Sequence, residues 1–186
     1  MGIDNAGRRA VFLDRDGVIN RAIVRDGKPY PPDSVENLEV LPGVPGALAR
    51  LHEAGFRLVV VTNQPDVARG TQRRAVVDAM HATLAATLPI DEFRVCDHDD
   101  RDGCRCRKPH PGLLEAAARD ADLSLLGSFM VGDRWRDVEA GRRAGCTTVF
   151  IDRGYLERRP EHPDAVVRSL PEAADWILSR SPREAP

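Results

Sequence analysis

"RAVFLDRDGVIN", residues 9–20, decides how this chain folds. Four apolar residues, Ala10 to Leu13, run without a break into an acid. Such a run reads as a strand buried on both faces, the kind found in parallel sheets. Asp14 closes the strand and Asp16 follows two residues on. Extended backbone sends residues i and i+2 to one side, so both carboxylates enter the same crevice. Gly17 then lets the chain turn away. Taken alone, this D-x-D-G is equally well a turn with two solvated acids.

The same grammar recurs along the chain. "FRLVVVTN" (56–63), "FRVCDH" (93–98), "SFMVGD" (128–133) and "TTVFID" (147–152) are further apolar runs that end in polar residues. Between them lie stretches with helical spacing. "PGVPGALARLHEAG" (42–55) places Val44, Leu48 and Leu51 on one face and stops at Gly55. Helices are also expected at 71–88, at 111–123 with Pro111 at its start, at 134–145, and at 170–178. Strands alternating with helices predict an α/β fold, a Rossmann-like doubly wound parallel sheet. Residues 20–41 lack clear periodicity and are expected to form a flap or loop, and the tail "SRSPREAP" to fray.

The chain has 186 residues, 42% of them hydrophobic, which suits one domain spanning 1–186 with an ordered core at about 8–180. Charged residues make up 30% and nearly cancel, for a net charge of -2. That balance argues against a nucleic-acid or anionic-membrane partner. No apolar run approaches the ~20 residues of a membrane span. "MGIDNAGRRA" carries no apolar signal core. A cytoplasmic monomer with reduced thiols is expected.

In a parallel sheet, ligands bind beyond the carboxyl ends of the strands. Here those ends carry Asp14 and Asp16, Thr62 and Asn63, Cys96 and His98, and Asp133. Asp133 and Asp137 stand four apart at a helix start and so share a face. Asp133 alone also reads as a helix N-cap. Carboxylates gathered at one edge repel one another, and Mg²⁺, a hard cation that takes oxygen ligands, relieves the repulsion. Thr62 and Asn63 suit phosphate oxygens as donors, and Lys108 supplies a point charge.

Together "FLDRDGVIN", "VTNQ", "RKP" and "VGDRWRD" resemble the four ordered motifs of the haloacid dehalogenase superfamily of phosphohydrolases. "VTNQPDVARG" and the cysteine cluster at 96–106 resemble its heptose bisphosphate phosphatases, and beside them the histidinol-phosphate phosphatases. The resemblance implies a haloacid dehalogenase-like fold and a small sugar-phosphate substrate. No insert is long enough for a large cap domain. It implies Asp14 as nucleophile through an aspartyl-phosphate and Asp16 as general acid and base. Thr62, Asn63 and Lys108 would position the phosphoryl group. Mg²⁺ would be held by Asp14, Asp133 and the carbonyl of Asp16, with Asp137 acting behind them on a bound water or on Lys108. A second phosphate calls for further polar groups, for which Arg69, Arg107, Asn20 and Arg134 are the candidates.

The cluster itself has the spacing C-x-H-x5-C-x-C, from Cys96, His98, Cys104 and Cys106. Three thiolates and one imidazole make a closed tetrahedral set for structural Zn²⁺. The bland alternative is an acidic loop with incidental thiols. A zinc clamp would anchor the backbone of Arg107 and Lys108 at the crevice mouth. Cys146 reads as a small buried apolar residue. His52, His81, His110 and His162 read as surface or core-edge residues, and Trp135 as a lid over the crevice or as simple helix packing. Two rival classes remain at this stage. A phospho-accepting receiver would hold its phosphate without turnover, and a zinc-stabilised interaction domain would not need its acids.

Overall fold

The computed structural model describes residues 7–180. Most of the expected frayed tail, and the first six residues, lie outside the described residues. The strands in chain order are β1 (Ala10–Leu13), β2 (Ile23–Arg25), β3 (Lys28–Tyr30), β4 (Arg57–Asn63), β5 (Glu92–Cys96), β6 (Phe129–Gly132), β7 (Thr147–Ile151) and β8 (Ala165–Val167). The helices are α1 (Val44–Glu53), α2 (Pro65–Ala68), α3 (Arg74–Thr87), α4 (Gly112–Ala121), α5 (Trp135–Ala144) and α6 (Leu170–Arg180). Six strands pair in one parallel sheet in the order β5-β4-β1-β6-β7-β8. The chain builds outward from β1 on one side, then returns to add β6 on the other. The order therefore reverses at β1, where a crevice opens beyond the strand ends.

The two faces of β1 explain why its run is apolar without alternation. Val11 and Leu13 pack with Leu48 and Leu51 of α1 and Ala173 and Ile177 of α6. Ala10 and Phe12 point the other way, toward Leu113, Leu114 and Ala117 of α4. A strand covered on both sides needs apolar residues at every position. Each large side chain buried in this way contributes roughly 1.5–3 kcal/mol.

The sheet also holds what the sequence pattern did not predict. β8 is a three-residue edge strand, partly exposed, too short to show a pattern. The stretch 20–41 is not simply a loop, because β2 and β3 pair antiparallel within it. Asp26 and Gly27 join them with φ of 50° and 72°, the positive pair that a tight hairpin turn needs. The third helix starts at Arg74 rather than Thr71. Between β1 and α1 the chain inserts only this hairpin, and the described residues contain no cap domain. Among them no helix is long and apolar enough to cross a membrane.

Candidate active site

Asp14 leaves β1 with its backbone N–H bonded to the carbonyl of Val131 on β6, at 2.9 Å. That bond sets Asp14 beside Asp133, which follows β6 directly. One oxygen from each of Asp14, Asp133 and Asp137 lies within 4.8 Å of the others, and all three residues are buried. Two glycines allow the approach. A Cβ on Gly17 would fall 1.8 Å from Asp133 Oδ2, and one on Gly132 would fall 2.1 Å from Asp137 Cβ. Asp137 caps its own helix by accepting the Arg134 N–H, at 2.9 Å. Asp133 is not the cap, since neither of its buried oxygens makes a hydrogen bond. Two bare, buried carboxylate oxygens beside two further carboxylates form an all-oxygen donor set that fits a hard divalent cation such as Mg²⁺.

Lys108 is the counter-charge. Its side chain is 2% exposed, and Nζ lies 2.7 Å from Asp14 Oδ1 and 2.6 Å from Asp137 Oδ1. Nζ also donates to the Val61 carbonyl at 2.7 Å. Burial pulls the ammonium toward neutrality, but the Asp137 and Asp14 charges win and hold it above the ordinary lysine range. Burial also pushes the Asp14 carboxyl up to about 6, against the pull of Lys108. Asp133 is raised well above the usual carboxylate range, by burial first and then by Asp14 and Asp137. A polar hydroxyl, Tyr155 Oη, stands near this corner and acts the other way.

Asp16 sits in a separate cradle. Arg15 forks onto its two oxygens at 3.1 Å, Asn20 Nδ2 donates to Oδ1 at 2.9 Å, and Gln64 Nε2 donates to Oδ2 at 2.9 Å. Asn20 was expected to touch substrate, and that expectation is corrected here. It is wholly buried and does not line the crevice, because its amide is turned onto Asp16 and the Arg21 carbonyl. Arg15 and Gln64 are the residues that sequence reasoning missed. Arg15 is the odd residue between two acids, so alternation sends it away from the crevice, where a buried guanidinium must find acceptors. Gln64 was in plain view at the end of "VTNQ".

The crevice, about 240 Å³, is lined by Asp14, Asp16, Thr62, Asn63, Lys108 and Asp137, with arginines at its rim. Thr62 Oγ1 accepts from Gln64 Nε2 at 2.9 Å. Asn63 brackets the main chain of Lys108, donating to its carbonyl at 3.0 Å and accepting its N–H at 3.1 Å. Arg69, Arg107 and Arg134 all reach the crevice, each already paired. Arg69 meets Asp99 and Asp66, Arg107 meets Asp100, and Arg134 meets Glu157. Arg107 keeps one buried nitrogen, Nη1, without a partner. Lys28 and Tyr30 of the hairpin complete the wall. Trp135 is no lid. It lies outside the crevice lining, with the guanidinium groups of Arg136 and Arg158 at 5.0 and 4.9 Å from its ring centre.

The cysteine cluster closes on itself as its spacing implied. Cys96, Cys104 and Cys106 lie 3.2 to 3.7 Å apart at sulfur, too far for disulfides. His98 Nδ1 lies 3.6 Å from Cys96 Sγ and 3.3 Å from Cys106 Sγ. A tetrahedron with 2.3 Å metal–sulfur bonds has edges of about 3.8 Å, so these four ligands fit Zn²⁺ with little movement. Asp100, on the short turn inside the cluster, accepts from both Arg107 and Arg136 at 2.8 and 3.1 Å. Cys146 is buried as expected, and burial raises its thiol to about 12. His81 is not a surface residue. It is 7% exposed and stacks on Phe93.

Residues 105–173 match the family described as HAD-hydrolase-like. Over 82% of its length the chain is 37% identical to the D-glycero-beta-D-manno-heptose-1,7-bisphosphate 7-phosphatase of Pseudomonas putida, covering 87% of that protein. The chain belongs to this family of HAD-like phosphatases. It is 36% identical to the Escherichia coli K12 member over 91% of this chain and 88% of that one. Among solved structures it resembles a D,D-heptose 1,7-bisphosphate phosphatase from B. bronchiseptica, itself complexed with magnesium and phosphate. There the TM-score is 0.80 at 34% identity, covering 93% of this chain and 99% of that one. A putative HAD-like phosphatase from Mesorhizobium loti follows at TM-score 0.71 and 27% identity, with 94% and 89% covered.

Proposed function

We propose that this chain is a Mg²⁺-dependent phosphomonoester hydrolase that removes the 7-phosphate of a D-glycero-D-manno-heptose 1,7-bisphosphate. The observation that carries the reading is the meeting of Asp14, Asp133 and Asp137 around Lys108 at the sheet's reversal point. The names of the aligned relatives support the heptose bisphosphate substrate.

In this reading Asp14 attacks phosphorus and forms an aspartyl-phosphate, while Asp16 hands a proton to the departing sugar oxygen. Asp16 then takes a proton from the water that attacks the aspartyl-phosphate, which frees Asp14 and inorganic phosphate. Asp14 attacks as the carboxylate, a form that the Lys108 ammonium beside it favours. Mg²⁺, held by Asp14, Asp133 and the Asp16 carbonyl, would offset charge on the phosphoryl oxygens when bound. Lys108 adds positive charge beside Asp14, and Asp137 holds Lys108 in place. Thr62 faces the crevice as a phosphate contact, and Asn63 contributes mainly by fixing Lys108. Arg69, Arg107 and Arg134 are the proposed contacts for the rest of the substrate.

The proposal includes structural Zn²⁺ on Cys96, His98, Cys104 and Cys106, which needs the reduced thiols of a cytoplasmic protein. The proposed working unit is a single-domain monomer. The test is phosphate release with Mg²⁺ from heptose 1,7-bisphosphate anomers, histidinol phosphate and fructose 1,6-bisphosphate. The highest kcat/KM is expected with a heptose anomer. A higher value with histidinol phosphate would replace the substrate, and no release from any of them would end the phosphatase reading.

A further inference from the structure

Arg15 is 0% exposed, yet it carries a permanent charge. One side of its guanidinium forks onto Asp16, and the other, Nη1, lies 3.0 Å from His81 Nε2. An arginine has donors only, so His81 Nε2 must be the bare, accepting nitrogen of a neutral ring. This fixes the tautomer with the proton on Nδ1. The ring itself is held by stacking on Phe93 of β5, with centroids 4.6 Å apart and planes 21° apart. Burial and the Arg15 charge both keep the imidazole neutral, lowering it to about 4.

We propose that His81 is a positioning residue for the reaction: by accepting from Arg15 it fixes the guanidinium that aims the Asp16 carboxylate into the crevice. The inference rests on the phosphatase reading, in which Asp16 moves the leaving-group proton. His81 touches neither Asp16 nor the crevice, so its influence passes through Arg15. Asp16 has two other holders, Asn20 and Gln64, and both are neutral amides. Arg15 is the one charged donor among these three holders, and without His81 one of its buried nitrogens loses its acceptor. A guanidinium free to swivel leaves Asp16 at the wrong angle for proton transfer while substrate still binds to Lys108 and the rim. The effect belongs in kcat and not in KM.

Three variants and one spectrum test this. His81→Leu removes the acceptor and is expected to lower kcat about tenfold with KM within about twofold. His81→Gln restores an acceptor and is expected to return kcat to within about threefold of the parent. Adding His81→Leu to Arg15→Met is expected to cost nothing beyond Arg15→Met alone, because the two act in series. Unchanged kcat in His81→Leu, an equal loss in His81→Gln, or additive losses in the double variant would each overturn the proposal. Should His81→Leu fail to fold, the glutamine variant decides. A parent protein that releases no phosphate sinks the phosphatase reading instead. Nitrogen-15 NMR at neutral pH then speaks for the inference alone: an unprotonated Nε2 supports it, and a protonated one overturns it.

Discussion

The acid cluster and the cysteine clamp both offer ligands to a metal, and they are built in opposite ways. Asp14 comes from the end of β1 and Asp133 from the end of β6, joined only because those strands pair. Their side chains are buried and their positions are dictated by the sheet. The four clamp ligands lie within residues 96–106, and His98 is exposed. Few apolar contacts hold that loop. The contrast teaches that the fold positions the first set of ligands, while in the second the ligands themselves would order the fold. Lys108 stands at the junction, with its ammonium in the acid cluster and its backbone two residues from Cys106.

The sharpest way to break this comparison is Asp14→Asn. If the sheet alone positions the acids, the variant keeps its fold and loses turnover on the order of 10⁴-fold, read as kcat beside an unchanged circular dichroism spectrum. Lys108→Met should damage both properties, because it leaves two buried carboxylates without their cation. A loss of roughly 10³-fold in kcat is expected together with about 3 kcal/mol of stability in urea denaturation. A fully stable Lys108→Met would mean that the acids do not depend on it.

The pH prediction concerns the cradle behind Asp16. His81 is depressed from 6.5 to about 4 in the folded chain, chiefly by burial. The unfolded chain therefore takes up the proton first as pH falls. This share of stability is complete above about 6.5 and drains away down to about 4, amounting to about 2–3 kcal/mol. His81→Gln cannot titrate, so the stability difference between parent and variant should shrink by that amount between pH 7.5 and 4.5. A constant difference would show that the ring is not held neutral. The smallest effect is expected from Cys106→Ser: loss of bound zinc by elemental analysis, with activity about tenfold lower. Full turnover in a zinc-free variant would cut the proposed link between clamp and crevice.

Much of this was legible beforehand because strands buried on both faces announce themselves. β1, β4, β6 and β7 are apolar runs, and the polar residues that close them are where the parallel sheet delivers them. The clamp was legible because its ligands are close in sequence. β8 was not, since three partly exposed residues carry no period. The hairpin of β2 and β3 had a signal, the Asp-Gly turn at 26–27, but its strands are mostly exposed and show no apolar alternation. Asn20 was given the wrong partner, and Arg15 and the role of His81 were missed, for one reason. Each is polar and buried, and its partner is set by tertiary packing that no local pattern encodes.

The reversal of strand order at β1 has a consequence for synthesis. A ribosome makes the strand that ends at Asp14 first and the strand that ends at Asp133 much later. A nascent chain halted before residue 108 displays Asp14 with neither its lysine nor its companion acids. Such a truncated product would be chemically silent toward phosphate esters, and hydrolysis would begin only once the late half has docked.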